Sequence, residues 1–326
     1  MTIRRFLAEC AQAVCRPVLY FWNTAAIVQW QNAALWQRMS WVRNPLAAPI
    51  SPSAKSPFWL TVPVPRIRKV SPARSTVVAP KATPHLFAGT SGWAYPTWKP
   101  GFYPATVPAK KFLEFYASKL SAVEVNYTFS KLPTAKMVES WLAATSADFR
   151  FSFKAPQRIT HFKRLLECGG HVAQFVESLE AVREAGRMGV LLFQLPPNFK
   201  ANHDRLADFL TELAPIRPMR VAFEFRHESW FTDATYDILR MHDAALCIAE
   251  SDELATPEVH TAAAFTYFRL RRNGGYSAAK LKGFAERFAA LAVSRDVYVH
   301  FKHEDEPTGA LNAVAFLKRV AGVKSR

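Results

Sequence analysis

Glycine is scarce in this 326-residue chain, 12 residues in all, and none occurs before Gly89. Neither a GxGxxG fingerprint nor a Walker-type loop is present, so the two common glycine-rich phosphate cradles are excluded. Cysteine is equally sparse. Cys10, Cys15, Cys168 and Cys247 show neither CxxC spacing nor the density of a disulfide framework, which fits a reduced, cytoplasmic protein. No HxH or HExxH pattern marks a metal site. Long apolar runs are also missing. The uncharged stretch 17–37 starts at Pro17 and is interrupted by Asn23, Gln29, Gln31 and Asn32, so no transmembrane segment is expected.

Acidic residues are nearly absent from the first quarter of the chain, where Glu9 stands alone against 11 Lys and Arg. That imbalance bears on the formal charge of +16, which by itself suggests a nucleic-acid or anionic partner. Residues 1–84 carry +10 of it, leaving +6 for 85–326. The same quarter holds 10 of the 22 prolines and five of the nine tryptophans, and 44–84 reads as extended, linker-like chain. We therefore expect two parts: a basic, Pro/Trp-rich extension over 1–84, poorly ordered or partly helical, and one folded domain over 85–326. A composition that is 50% hydrophobic and 13% aromatic is ample for a sizeable core.

From His85 the chain repeats a short β-branched or aromatic run, a turn, and an amphipathic stretch. Eight such runs occur, at 85–93, 122–129, 149–156, 189–196, 220–227, 244–251, 265–272 and 296–303. Helical spacing of apolar residues fills 108–120, 134–146, 171–187, 203–213, 231–242, 277–293 and 307–320. Between the sixth and seventh runs SDELATPEVHTAAA is too broken for a full helix. Eight strands alternating with helices over about 240 residues predict an α/β fold, a (β/α)8 TIM barrel of the usual ~250-residue size. An open doubly wound sheet is the alternative, without a nucleotide-binding loop to support it.

Period-two alternation sorts each run into an apolar face and a polar one. Glu124 and Asn126 share the polar face of the second run, as do Glu224 and Arg226 on the fifth. Lys154 and Gln194 take that face on the third and fourth, Arg269 and Arg271 on the seventh, and His300 and Lys302 on the eighth. The helix-facing side of a barrel strand is apolar, so these residues are expected inside, toward the carboxyl ends where barrel active sites lie.

Seven segments now stand out: GTSGWAYPTW (89–98), VEVNYTF (123–129), FKAPQRITH (153–161), LLFQLPPNF (191–199), FEFRHESW (223–230), YFRLR (267–271) and HFKHEDEPTGALNA (300–313). In order and spacing they resemble the motifs of the YecE-like family, bacterial and archaeal proteins grouped under a domain of unknown function. The resemblance spans roughly 85–322 and implies a TIM barrel without an established activity. A fold likeness to endonuclease IV-type barrels makes nucleic acid one implied partner, by analogy alone. Arg271-Arg272-Asn273, where many members have His-Gly, and FKHEDEP, where many have an Asn-rich turn, depart from the family pattern.

For chemistry, Glu124 and Glu224 are the candidate proton-transfer pair, with His227 as a further catalytic candidate. Trp93, Tyr95, Asn126, Lys154, His161, Gln194, Arg226, Arg269, His300 and Lys302 are the candidate substrate-binding residues. The basic members outnumber the acids, which points to a phosphate-bearing or other small anionic substrate, or a nucleic acid. Trp93 and Tyr95 offer stacking surfaces. Lys154 also sits where barrel enzymes place imine-forming lysines. No cofactor is predicted; a divalent metal has candidate ligands by residue type but no ligand motif. The combined expectation is a hydrolase-type acid/base enzyme. Two other readings fit the same residues: a glycoside-type hydrolase using both glutamates, and a non-catalytic ligand- or nucleic-acid-binding module whose charges neutralise one another.

Overall fold

The computed structural model describes residues 85–302 and 306–324; the extension over 1–84 and the acidic stretch 303–305 lie outside the described residues. Eight strands form one parallel sheet: β1 Leu86–Thr90, β2 Ala122–Val125, β3 Arg150–Lys154, β4 Met188–Gln194, β5 Arg220–Glu224, β6 Ala245–Glu250, β7 Phe265–Leu270 and β8 Asp296–Phe301. The order β1-β8-β7-β6-β5-β4-β3-β2 brings the first two strands together at the seam of a (β/α)8 barrel. That seam has a bridge between Ser91 and Glu124 in place of a full ladder. A tyrosine completes it. The Tyr116 hydroxyl accepts from the Thr90 amide at 2.7 Å and donates to the Ala122 carbonyl at 3.0 Å, so groups that ladder bonds would satisfy are paired through a side chain. Gly89 makes the close approach tolerable, since a Cβ there would stand 1.7 Å from the Ala122 carbonyl oxygen.

The helices are α1 Phe112–Ala117, α2 Ala135–Ala143, α3 Gly169–Glu177, α4 Glu180–Glu184, α5 His203–Glu212, α6 Asp233–Met241, α7 Ala278–Leu291 and α8 Thr308–Lys324. Four of them start where a polar side chain accepts an otherwise orphaned amide: Thr134 from Met137, Asn202 from Arg205, Thr232 from Thr235 and Ser277 from Lys280. The expected helix over 171–187 is two, broken around Ser178 and Leu179. No helix separates β6 from β7, as the broken pattern there predicts. Among the described residues no helix is long and apolar enough to cross a membrane.

Strand parity divides the core in two. Val123, Phe151, Leu191, Phe223, Phe268 and Val299 face the helices in the larger apolar cluster. The opposite parity supplies a second cluster inside the barrel, including Ala122, Leu192, Ala222, Cys247, Tyr267 and Tyr298. Below it, at the amino ends of the strands, Arg220 bonds Asp296 at 2.6 Å and the Tyr298 hydroxyl at 2.8 Å. Its guanidinium also lies 5.4 Å from the Phe265 ring centre, so this end is plugged by a charge with its partners in place. Above the apolar layer the inward residues become polar.

Candidate functional site at the barrel mouth

Register fixes the polar layer: Ser91 opposes Glu124, Gln194 opposes Glu224, and Arg269 opposes His300. Arg269 lies between the two glutamates. Its Nη2 donates to Glu124 Oε1 at 2.7 Å and its Nη1 to Glu224 Oε2 at 2.5 Å, and all three side chains are almost wholly buried. Glu124 also accepts from Ser91 Oγ and from the Tyr267 hydroxyl, each at 2.8 Å. Burial pushes the Glu124 carboxyl up, but Arg269, with His300 and the two hydroxyl donors, outweighs it and holds the group at about 2. Glu224 is lowered likewise: burial opposes, and Arg269, Arg226 and Arg271 prevail. Arg269 in turn is raised, its burial outweighed by the two carboxylates.

This arrangement bears on the expected proton-transfer pair. A general acid needs a proton to give, and both carboxylates stay ionised near neutral pH. A glycoside-type pair needs the scissile bond between its carboxyl groups, and a guanidinium fills that space. The buried charges are paired with one another, as buried charges must be, although Arg269 Nε has no hydrogen-bond partner among the described residues.

The network is not neutral, however. Glu224 Oε1 also accepts from Arg226 Nε at 3.0 Å and stands 3.7 Å from Arg271 Nη1. One carboxylate therefore serves three guanidinium groups. Arg226 and Arg271 are about a quarter exposed and, with Glu224, Glu253, Ser251 and Pro197, line a cavity of about 260 Å³. Lys154, at the end of β3, belongs to the same electrostatic cluster without touching a carboxylate: its Nζ lies 3.9 Å from the Phe129 ring centre. Burial first, and then the Arg269 charge, lower its amine to about 8. His161 meets the same ring edge-on at 5.0 Å and is lowered by burial, Lys154, Arg226 and Arg164, so its imidazole is neutral near pH 7.

His300 is fully buried, stacked 5.0 Å from Tyr267, and neither ring nitrogen has a hydrogen-bond partner among the described residues. Burial lowers it to about 4, so it is neutral above that pH. Gln194 is buried at the end of β4.

Five expected residues lie elsewhere. His227 accepts from the Ser229 amide at 3.2 Å and meets the Ser229 hydroxyl at 2.9 Å, capping the short turn Glu228–Trp230. Lys302 bonds Asn273 at 2.5 Å, beside the loop that follows β7. Trp93 and Tyr95 line a different hollow of about 270 Å³, with Tyr127, Met137 and Trp141. Asn126 joins them, because β2 ends at Val125 and the chain turns helical at Asn126 (φ −85°, ψ −15°), which ends the alternation that pairs it with Glu124. Ser91 and Tyr267 are contacts beyond the expected set, and Arg271, already expected on the inner face of the seventh run, joins the site. Both new contacts follow from parity, Ser91 two residues after Gly89 and Tyr267 two before Arg269, so extending each inward row by one step finds them.

A family model described as a protein of unknown function, DUF72, matches residues 87–325. The UPF0759 protein YunF of Bacillus subtilis (strain 168) is 26% identical over 161 residues, 47% of this chain and 54% of that protein. The UPF0759 protein YecE of Escherichia coli (strain K12) is 33% identical over 115 residues, 35% of this chain and 39% of that one. The chain thus spans about half the length, or less, of these curated relatives. The crystal structure of a DUF72 family protein from Thermotoga maritima is similar with a TM-score of 0.65 at 28% identity, covering 73% of this chain and 99% of that one. A DUF72 family protein from Enterococcus faecalis, at 18% identity and TM-score 0.61 over 72% of this chain and 95% of that one, shares the fold.

Proposed function

The chain belongs to the DUF72 family of proteins of unknown function, and from that premise we propose that the barrel mouth binds a small anionic substrate, carrying a carboxylate or phosphate, for acid/base chemistry. The observation that carries this reading is the sharing of Glu224 by Arg226, Arg269 and Arg271. Arg269 is consumed by the buried carboxylates. Arg226 and Arg271 keep donors for a ligand, and a guanidinium matches the flat oxyanion face of either group. Lys154 and His161, in place of the clamped glutamates, exchange protons. Glu124, Arg269 and Glu224 form the rigid floor on which the outer arginines are held.

A cavity of about 260 Å³ suits a compact molecule better than a polymer. Glu253 on its wall also disfavours a polyanion, so nucleic acid fits this mouth less well. Titration calorimetry with inorganic phosphate and with acetate at low ionic strength tests the reading. Binding to the intact chain that weakens about tenfold or more in Arg226→Gln and Arg271→Gln is expected, the loss of one charge-assisted contact. Absence of binding, or equal affinity in both variants, contradicts it. Oligonucleotide binding that survives both substitutions belongs to another part of the chain.

A further inference from the structure

We infer that Lys154 is a nucleophile that forms an imine with a carbonyl substrate whose carboxylate or phosphate is held by Arg226 and Arg271. The inference rests on the anion-binding reading and adds the reacting group and the substrate class. It begins from an asymmetry among the mouth cations. Arg226, Arg269 and Arg271 each stand within 4 Å of Glu224, and Arg269 also holds Glu124. Lys154 alone of the four has no carboxylate partner among the described residues, and its ammonium faces the ring of Phe129.

A lysine kept for charge would share a carboxylate. A lysine kept as an amine needs the reverse: no anion to lock the proton on, cationic neighbours that repel it, and an apolar surface against its end. Lys154 forms no ion pair and meets the other two requirements, while Glu124 and Glu224, at longer range, partly offset them by favouring the charged amine. Its electrostatic neighbours include Arg269 and Arg226, and its carbon chain rises from an inward strand position between the buried Phe153 and Ala155. The backbone beneath it is fixed, because the Lys154 carbonyl accepts from Thr128 Oγ1 at 2.7 Å. With its amine lowered to about 8, roughly a tenth is neutral at pH 7, against less than about a thousandth of an ordinary lysine. An anionic group on Arg226 and Arg271 would sit within the same charge cluster and bring an attached carbonyl toward the amine.

The step balances without an oxidant or reductant. The Nζ lone pair adds to the carbonyl carbon while the carbonyl π pair moves to oxygen, which takes a proton, giving a carbinolamine. Loss of that oxygen as water, with a second proton, forms the C=N bond. Overall, ammonium and carbonyl become iminium and water, with one positive charge on each side. His161, neutral near pH 7 and packed on the same Phe129 ring, is a base for the proton that the amine must shed before attack.

The test traps the imine. The full chain is incubated with pyruvate and sodium cyanoborohydride near pH 7, and the product is read by intact mass and peptide mapping. The expected result is a single stoichiometric adduct on Lys154, at least about tenfold faster than on any other lysine given the difference in neutral fraction, and slowed by excess phosphate. Lys154→Arg keeps the charge and should abolish the adduct. Lys154→Met is the second variant, and circular dichroism confirms the fold of each. A slow adduct spread over many lysines, unchanged by Lys154→Arg or by phosphate, overturns the inference. Phosphate binding that depends on Arg226 and Arg271, without the Lys154 adduct, refutes the imine while sparing the anion site. Loss of that binding refutes both.

Discussion

The two ends of the barrel interior use similar parts to different ends. At the amino ends Arg220 meets Asp296, the Tyr298 hydroxyl and two aromatic faces, and the charge is closed off by its own neighbours. At the carboxyl ends two carboxylates are surrounded by three arginines and Lys154, and the surplus positive charge borders a cavity. An arginine inside a barrel is therefore not a functional signal in itself. What separates mouth from plug is the ratio of cations to carboxylates and the space beside them.

The comparison breaks most sharply at Arg269. Arg269→Met leaves Glu124 buried without a cationic partner and takes from Glu224 one of its three, and should cost about 3–5 kcal/mol in denaturant unfolding. Tyr267→Phe removes one donor from the buried Glu124 carboxylate, with an expected loss of about 1.5–3 kcal/mol in the same measurement. Arg220→Gln, whose partner Asp296 retains some solvent access, should cost about 1 kcal/mol or less. If Arg220→Gln proved as damaging as Arg269→Met, the two ends would not differ as described.

Acid should also separate the ends. Glu124 titrates near 2 folded and near 4.5 unfolded, so its stabilisation is complete above pH 4.5 and is lost as pH falls toward 2. His300 is neutral when folded down to about pH 4, whereas the unfolded chain protonates it near 6.5. The unfolded state binds the extra proton over that interval, so stability falls from pH 6.5 to 4. His300→Phe should flatten the stability profile there by up to one proton and leave the slope below pH 4 in place. An unchanged slope between 6.5 and 4 would show that His300 is not buried as a neutral ring.

Much of this was legible in the residues. Eight runs gave eight strands because each is short, β-branched or aromatic and bounded by turn residues. Period two put Glu124, Lys154, Glu224, Arg269 and His300 on the inner face, since parity survives as long as the strand does. It does not reach Asn126, where a helical turn ends the strand at Val125, four residues before the end of the 122–129 run. His227 caps a short turn, a role that a histidine two residues before Ser229 already allows from short-range spacing. The clamp itself could not be read. Arg269 and Glu124 are separated by 145 residues, and nothing local says that one guanidinium takes both glutamates.

On the proposed reading the carboxyl-end mouth, and not the amino-end plug, is the anion site. Phosphate titration of the intact chain beside Arg226→Gln, Arg271→Gln and Arg220→Gln tests it most directly. Affinity should fall about tenfold or more in the two mouth variants and stay at the level of the unsubstituted chain in Arg220→Gln. Equal affinity in all four proteins, or a loss confined to Arg220→Gln, would contradict the account.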